Sequence, residues 1–524
     1  MQNRCASYRS EDRNSIIEAA VGEWSSWLWF PGPGSTILTG KGETFAWEVS
    51  LAVPEELRMD QALAALRSLL DDRCETSPEV LQEHAIDVSR HTPAAPDGVV
   101  FPRDEDEVVE IVRICSRFQV PMIPYGTATG VEGGVVASHG GISIDLRHLN
   151  QVLRISCPDA DVTVQAGVTR LQLNQALQDQ QTGLHFPVDP GADASLGGMA
   201  ATRASGSAAV RYGTMRENVL GLTAVLADGS LVRTGSRARK SAAGYDLTRL
   251  LVGSEGTLGI ITELTLRLHP VPSAISSAIC HFPDIKSAVD TAIELLGQGI
   301  PVARMELLDE TLIAAVNQYS GLQYELAPTL CLEFHGTENH VAEQAEQAEQ
   351  IAGQYGGLGF QWATDVAQRE QLWQARYDAY YACLALRKDA VAYVTDVCVP
   401  ISELAQCIVD TQQALESVSV PAPLFGHVGD GNFHVVLVVD PGSQQELVMA
   451  RQLNSWLIER ALEAGGTCTG EHGIGLGKQS SLVDECGNSV DMMHRIKLAL
   501  DPGNLMNPGK VLRLAPPASL TAEN

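Results

Sequence analysis

The chain has 524 residues, more than a single hydrophobic core usually supports, so we expect at least two domains. Its composition, 45% hydrophobic and 19% charged residues, is typical of a globular protein and not of a disordered one. Because 64 Asp and Glu face only 36 Lys and Arg, the net charge of -28 would repel nucleic acid, which argues against nucleic acid as a partner.

Residues 1–54 show no regular pattern and are predicted to form an N-terminal extension. Trp24, Trp27 and Trp29 lie together there, ahead of a Pro-Gly-Pro-Gly run. An unpacked extension or a start codon assigned too early explains them, and a tip that touches a membrane is the alternative. Acidic residues argue against a signal or transit peptide, and no apolar run reaches the roughly 18 residues of a spanning helix.

Strands and helices are predicted to alternate from residue 55 onward. A helix begins near Glu55, a strand covers 99–101, and Asp104 is placed to cap the next helix, with Glu107 closing a capping box. Further strands are predicted at 120–124, 142–146, 152–155, 162–165 and 260–268, and a further helix at 169–178. This mixture indicates an α+β domain.

The character of the chain changes after Pro270. Helical stretches rich in Ala, Glu and Gln, at 341–351 and 367–388, alternate there with short strands such as 435–439. We therefore predict a second domain over residues 271–466.

Eleven cysteines are scattered along the chain without a Cys-x-x-Cys pair. Their odd number and their spacing argue against a disulfide framework, a zinc ribbon and an iron–sulfur cluster. We predict reduced, buried thiols in a cytoplasmic protein.

Three stretches of small residues lie in the first domain, at 124–134, 187–206 and 253–259. A backbone that binds a pyrophosphate needs such residues, with its N–H groups directed at the oxygens. Tight turns also use glycine, so the first loop alone decides little. A Rossmann dinucleotide unit is not indicated, because no strand leads into Gly-x-Gly-x-x-Gly and a helix.

Two histidine-containing segments are candidates for a metal site. His427 and His434 lie seven residues apart across a glycine turn, and Glu471 and His472 follow in a second glycine-rich segment. Two imidazoles and one carboxylate can hold a divalent ion and leave positions open for substrate. Core histidines satisfied by hydrogen bonds would explain the same residues, and the spacing does not decide between the two.

The combination of motifs is more specific than any one of them, and it resembles the FAD domain of the vanillyl-alcohol-oxidase-type (PCMH-type) flavoproteins. The matching motifs are Pro-Tyr-Gly-Thr-Ala-Thr-Gly at 124–130, Pro-Val-Asp-Pro-Gly-Ala at 187–192, Gly-Gly-Met-Ala-Ala-Thr at 197–202, Arg-Tyr-Gly-Thr-Met at 211–215, Gly-Tyr-Asp-Leu at 244–247 and Gly-Ser-Glu-Gly-Thr-Leu-Gly at 253–259. Within that superfamily, residues 55–513 look like the D-lactate dehydrogenase (cytochrome) and glycolate oxidase branch.

The resemblance implies an α+β fold with a PCMH-type FAD-binding domain of two α+β subdomains at 55–270. An α+β substrate or cap domain with an antiparallel sheet would follow at 271–466. Residues 467–513 would return to the FAD domain and complete the active site, and 514–524 would form a tail. Because the first loop contains no histidine to link the flavin, we expect non-covalent FAD.

The residues expected to contact FAD come from the small-residue loops and from the returning C-terminal segment. They are Tyr125, Gly126, Thr127, Thr129, Gly130, Pro187, Asp189, Gly191, Ser195, Gly197, Gly198, Thr202, Gly206, Tyr212, Gly213, Glu255, Gly256, Gly259, Ile260 and Asn507.

The same resemblance assigns roles around the histidines. The residues that match metal ligands are His427, His434 and Glu471, and their N and O donors suit Zn or Mn. His472 matches the base that takes the hydroxyl proton while hydride passes to flavin N5. Arg376 aligns with an arginine that grips the substrate carboxylate, and a solvated arginine on a helix is the alternative. Asn432 is a further candidate to touch substrate, and Lys478 is taken as an ordinary surface residue.

The implied reaction is oxidation of a small D-2-hydroxy acid. D-lactate is favoured over glycolate or a longer acid, because Val394 stands where relatives acting on 2-hydroxyglutarate carry a lysine. Electrons would pass to cytochrome c, a quinone or another carrier, since the sequence has no haem or cluster motif. Peripheral contact with the inner membrane and a homodimer stay open. The hypotheses from other classes are a metal-dependent hydrolase and a non-catalytic accessory subunit.

Overall fold

The structure is a computed structural model that describes residues 55–514. The predicted N-terminal extension, its tryptophans and residues 515–524 of the tail lie outside the described residues. The described chain from Glu56 onward belongs to one compact unit.

Helices are distributed over the whole described chain. They are α1 (Glu55–Leu70), α2 (Pro78–Glu83), α3 (Glu105–Phe118), α4 (Arg170–Asp179), α5 (Leu196–Thr202), α6 (Ala209–Tyr212), α7 (Met215–Asn218), α8 (Leu247–Leu251), α9 (Ile285–Gly297), α10 (Glu310–Ser320), α11 (Glu338–Gln354), α12 (Val366–Ala385), α13 (Ile401–Leu415), α14 (Gln444–Glu463), α15 (Gln479–Cys486) and α16 (Ser489–Leu500).

The strands are mostly short. They are β1 (Cys74–Glu75), β2 (Gly98–Val100), β3 (Met122–Tyr125), β4 (Ile142–Asp145), β5 (Val152–Ser156), β6 (Asp161–Gln165), β7 (Leu184–His185), β8 (Val219–Val225), β9 (Leu231–Gly235), β10 (Ile260–Arg267), β11 (His269–Pro270), β12 (Ala274–His281), β13 (Val302–Leu308), β14 (Thr329–Gly336), β15 (Leu358–Ala363), β16 (Val391–Val394), β17 (Val397–Cys398), β18 (Leu424–Gly426) and β19 (Asn432–Val439).

The first sheet has the order β1-β2-β4-β3, with β2, β4 and β3 parallel. Asp104 caps α3 as predicted, since its side chain accepts the N–H of Glu107 at 2.9 Å. The predicted capping box is wrong, because the Glu107 carboxylate binds the Arg73 guanidinium and the N–H of Arg103 instead. The apolar face of α3 is buried as its periodicity predicts, at Val108, Ile111, Val112 and Cys115.

The second sheet is antiparallel, in the order β5-β6-β10-β8-β9. Its core combines alternate residues of β6, β8 and β10 with apolar residues of α4 and α5. The predicted strands at 152–155, 162–165 and 260–268 all lie in this sheet.

The third sheet is antiparallel and carries the order β15-β12-β14-β13-β18-β19-β16, with β17 also paired to β19. One face packs against α9, α11, α13 and α14, and the other against α10 and α12. The expected antiparallel sheet after Pro270 is therefore confirmed.

The C-terminal segment returns to the first sheet, as expected. Met122 at the start of β3 donates its N–H to Leu505 O at 2.8 Å, and Asn507 donates its N–H to Met122 O at 2.8 Å. The buried Lys497 Nζ also donates to Thr257 O at 2.8 Å. The third small-residue loop, β3 and the last residues of the chain are thus fixed to one another. None of the helices between residues 55 and 514 is both long and apolar enough to cross a membrane.

Candidate active site

A cleft lies where the small-residue loops meet. The predicted cofactor residues that line it are Tyr125, Gly126, Thr127, Thr129, Gly130, Ser195, Gly197, Gly198, Thr202, Glu255, Gly256, Gly259 and Asn507. The predicted cofactor residues that do not line it are Pro187, Asp189, Gly191, Gly206, Tyr212, Gly213 and Ile260. Glu471 and His472 lie on the same wall, so the cleft joins the glycine loops to the histidine cluster.

The cleft wall fits a dinucleotide. A Cβ at Gly126 would lie 2.3 Å from Ser195 Oγ, so position 126 leaves no room for a side chain. Ser195 Oγ is buried and finds no hydrogen-bond partner among residues 55–514, although the Ser195 N–H donates to Thr127 Oγ1 at 3.2 Å. A buried hydroxyl without a partner beside backbone N–H groups is suited to phosphate oxygens.

Several predicted cofactor residues shape the loops instead of facing the cleft. Asp189 accepts the N–H of Gly191 at 3.0 Å and lies 3.3 Å from the Arg170 guanidinium. A Cβ at Gly206 would lie 1.8 Å from Asp189 O, which explains a glycine there. The Tyr212 hydroxyl lies 2.7 Å from His335 Nδ1 on β14, so this side chain links α6 to the third sheet.

Glu255 and Asn507 close the cleft wall through contacts with protein groups. The two carboxylate oxygens of Glu255 each accept one N–H at 2.8 Å, from Ile474 and Gly475. Burial raises the pKa of Glu255 to about 7. Asn507 Nδ2 donates to Glu255 O at 2.8 Å and to Gly134 O at 3.0 Å. These bonds join the glycine loops to the segment that follows His472.

His427, His434 and Glu471 converge at one point, with ligand atoms all within 4.8 Å of one another. Glu471 Oε1 lies 3.4 Å from His427 Nε2 and 3.2 Å from His434 Nε2. His427 follows β18 directly and His434 lies on β19, and the turn between them needs Gly431 at φ +79°. The hairpin thus places two imidazoles on one carboxylate.

The other nitrogen of each imidazole is held by the protein. His434 Nδ1 lies 2.9 Å from Thr395 O, and His427 Nδ1 lies 2.6 Å from a Glu306 carboxylate oxygen. Because both oxygens are acceptors, each Nδ1 carries a hydrogen, so Nε2 is the nitrogen of each ring that a metal could bind beside Glu471. Burial would raise the pKa of Glu471, but the two imidazoles outweigh it and hold that pKa well below its usual range. Two N donors and an ionised carboxylate fit a Zn or Mn ion.

Asp396, His434 and His472 form a second close group, but Asp396 is already engaged. Its Oδ1 accepts Asn432 Nδ2 at 2.8 Å. Its Oδ2 accepts the Thr469 hydroxyl at 2.7 Å and three successive backbone N–H groups of residues 470–472 at 2.9 to 3.1 Å. Asp396 therefore holds the loop that carries Glu471 and His472, and it is not a free ligand.

Lys478 is not an ordinary surface residue, so that prediction is wrong. Only 3% of the residue is exposed, and its Nζ donates to Asp396 O at 3.0 Å. The same Nζ lies 3.5 Å from Asp396 Oδ2 and 3.7 Å from Glu132 Oε1. A buried ammonium is stable there because two carboxylates compensate its charge.

His472 lines the cleft beside this group. Its ring stacks on His434 with centroids 5.1 Å apart. His472 Nδ1 is buried, finds no hydrogen-bond partner in the described chain and lies 3.9 Å from Asp396 Oδ2, while Nε2 lies 3.8 Å from Glu471 Oε1. Burial lowers the pKa of His472, which favours the neutral imidazole that can accept a proton.

Asn432 is buried beside this group, and Arg376 is partly buried, with 22% of its side chain exposed. Arg376 Nε donates to the second oxygen of Glu306 at 2.8 Å, so the alternative of a solvated arginine is wrong. The Asn432 amide donates to Asp396 and, at 2.7 Å, to Val397 O. The Asn432 amide thus supports Asp396, which holds the loop that carries Glu471 and His472.

Sequence patterns missed Glu306 and the central position of Asp396. Glu306 interrupts the otherwise apolar second half of β13, and a charged residue in a buried strand is a signal that could have drawn attention to it.

Two family models match most of the chain. The FAD binding domain family matches residues 96–235, and the family described as FAD linked oxidases, C-terminal domain, matches residues 271–511. The solved structure of p-cresol methylhydroxylase with substrate bound is similar in fold, with a TM-score of 0.73, 19% identity, and coverage of 88% of this chain and 98% of that one. This likeness confirms the expected PCMH-type α+β fold.

Relatives of higher identity cover nearly the full length. "Probable D-lactate dehydrogenase, mitochondrial" of Danio rerio is 51% identical over 87% of this chain and 92% of its own. "D-lactate dehydrogenase [cytochrome], mitochondrial" of Arabidopsis thaliana is 44% identical over 96% of this chain and 87% of its own. "Glycolate oxidase subunit GlcD" of Bacillus subtilis is 34% identical over 82% and 91%.

Proposed function

The chain belongs to the FAD-linked oxidases, within their D-lactate dehydrogenase branch, and we propose that it oxidises D-lactate to pyruvate with non-covalently bound FAD. The observation that carries the proposal is the common wall of the cleft, on which His472 and Glu471 lie beside the glycine loops. A cofactor in that cleft and a substrate at the histidines would therefore be neighbours. FAD, when bound, would accept the hydride that leaves C2 of the acid.

We further propose that His427, His434 and Glu471 hold a Zn or Mn ion. Such an ion would polarise the carboxylate and 2-hydroxyl oxygens of the acid. Support comes from the two Nε2 atoms, 3.2 and 3.4 Å from one Glu471 oxygen, and from the two Nδ1 atoms that protein acceptors hold. The acceptor-bound Nδ1 atoms keep each ring in the tautomer that a metal requires.

His472 would take the hydroxyl proton at Nε2, the nitrogen that faces Glu471. The Asp396 carboxylate, 3.9 Å from the other nitrogen, would stabilise the imidazolium that forms. Arg376 would bind the substrate carboxylate with its terminal amino groups, since its Nε is engaged with Glu306.

D-lactate is preferred over larger acids because of the side chain beside His434. Val394 ends β16 and pairs with Val436 on β19, two residues beyond His434. An apolar side chain at this position leaves the second carboxylate of a longer acid, such as 2-hydroxyglutarate, without a partner.

For the electron acceptor we propose cytochrome c or a quinone, in line with the names of the cytochrome-type relatives. The cytoplasmic location stays a prediction of the sequence, whereas the relatives from Danio rerio and Arabidopsis thaliana are named mitochondrial.

Anaerobic reduction of the flavin by a panel of acids tests this proposal. We expect D-lactate to bleach the flavin fastest, and D-2-hydroxyglutarate to have a kcat/KM lower by at least ~10²-fold, because an unpaired buried charge costs several kcal/mol. Val394→Lys should raise the value for D-2-hydroxyglutarate and lower the value for D-lactate. Equal use of both acids by the wild type would contradict the preference, and a flavin that no acid reduces would favour the accessory-subunit hypothesis.

A further inference from the structure

Glu306 occupies the centre of the third sheet, on β13, and is completely buried. One carboxylate oxygen lies 2.6 Å from His427 Nδ1, and the other accepts Arg376 Nε at 2.8 Å. The two partners come from different elements, since His427 follows β18 and Arg376 lies on α12. One carboxylate thus joins a candidate metal ligand to the candidate substrate-binding arginine.

A buried carboxylate is costly unless charged partners compensate it, and Glu306 has two. Both partners donate to it, so each oxygen has one fixed task. The imidazole keeps its hydrogen on Nδ1, which leaves Nε2 available to a metal shared with Glu471. The guanidinium is held by Nε, and within residues 55–514 its terminal amino groups have no hydrogen-bond acceptor and are available to a ligand.

We propose that Glu306 is a positioning residue that fixes the tautomer of His427 and the orientation of Arg376 together, so that metal binding and carboxylate binding depend on the same side chain. This inference rests on the metal site and on the role of Arg376 proposed above. It predicts that a change at position 306 alters metal affinity although residue 306 is not itself a metal ligand.

Glu306→Gln is the most informative substitution, because glutamine keeps the shape of the glutamate side chain and changes its hydrogen-bonding groups. Glutamine offers one acceptor oxygen and one donor NH₂, and both partners of residue 306 need an acceptor. If the oxygen faces Arg376, His427 must give up its Nδ1 hydrogen and carry it on Nε2, where it blocks a metal. If the oxygen faces His427, the Arg376 Nε–H loses its acceptor.

Glu333 on the adjacent strand β14 provides the matched control. Its carboxylate also lies between an imidazole and a guanidinium, 2.8 Å from His335 Nε2 and 3.5 Å from Arg304 Nε. It is buried as well, but neither of these partners belongs to the group of His427, His434 and Glu471. Glu333→Gln therefore reproduces the loss of a buried charge in the same sheet without changing the candidate metal site.

Zn²⁺ affinity of the FAD-loaded, metal-depleted full-length protein, measured by chelator competition, tests the inference. We expect Glu306→Gln to weaken Zn²⁺ binding about 10- to 100-fold and to shift the visible spectrum of bound Co²⁺, at a melting temperature and FAD content like those of Glu333→Gln. Glu333→Gln should keep the wild-type affinity. KM for D-lactate should rise in Glu306→Gln alone.

The outcomes separate this inference from the function on which it rests. Wild-type Zn²⁺ affinity and Co²⁺ spectrum in Glu306→Gln would overturn the role of Glu306 and leave the metal site standing. An equal loss of affinity in Glu333→Gln would also overturn it, since the effect would then follow from any buried charge in the sheet. A wild-type protein that binds neither ion overturns both the metal site and the role of Glu306.

Discussion

His472→Ala should slow the reduction of the flavin by D-lactate by roughly 10²- to 10⁴-fold, the range that a positioned general base supplies. The imidazole lines the same cleft as the glycine loops, and its Nε2, the nitrogen proposed to accept the proton, lies 3.8 Å from Glu471 Oε1. Alanine removes the proton acceptor and leaves the loops intact. Rapid-mixing absorbance under anaerobic conditions measures the rate, and the flavin spectrum measures FAD content.

The control for this variant is His340→Ala, which removes an exposed imidazole in the first turn of α11. It should reduce its flavin at the wild-type rate. Metal content must be measured in both variants, because His472 stacks on His434. Fast reduction in His472→Ala with FAD and metal retained would show that another group takes the proton.

Among the substitutions proposed, Asp396→Asn should lower the free energy of unfolding the most. Every hydrogen-bond partner of the carboxylate is a donor, namely the Asn432 amide, the Thr469 hydroxyl and three backbone N–H groups. An amide NH₂ has no acceptor among them, and Lys478 loses a charge partner. We expect the free energy of unfolding to fall by about 3–5 kcal/mol, the usual consequence of breaking a buried ion pair, with loss of bound metal.

Asp161→Asn is the matched control for stability. Asp161 is also fully buried and pairs with Arg154 at 2.7 Å and Arg237 at 3.1 Å, but it lies in the second sheet. It should lower stability in denaturant unfolding and leave metal content and flavin reduction unchanged. Asp396→Asn with wild-type stability and wild-type flavin reduction would contradict the role assigned to the Asp396 carboxylate.

Local patterns predicted several of the longer helices and strands, because these elements follow short-range periodicity. The helix predicted at 169–178 and found at Arg170–Asp179 is an example, since it depends on residues a few positions apart. Strand order in the three sheets could not be predicted in this way. It depends on pairings such as β10 with β6, whose residues lie about a hundred positions apart.

The candidate site likewise contains residues that local sequence reveals and residues that it does not. His427, His434, Glu471 and His472 stand out in the sequence because glycines flank them, and the structure brings them together. The supports of these residues do not stand out, because each acts over a long separation. Glu306 is 121 residues from His427, and Asp396 is 73 to 76 residues from the loop that it holds. The burial of Lys478 could not be predicted for the same reason, since nothing near it in sequence reveals its buried carboxylate partners.

The most direct test of metal-assisted D-lactate oxidation is anaerobic flavin reduction by D-lactate before metal removal, after it, and after Zn²⁺ or Mn²⁺ is restored. We expect rapid bleaching by D-lactate and not by L-lactate, a loss of at least ~10²-fold in rate once the metal is gone, and recovery when it returns. FAD should remain bound throughout. An unchanged rate in protein shown to contain no metal, or equal bleaching by L-lactate, would contradict metal-assisted D-lactate oxidation.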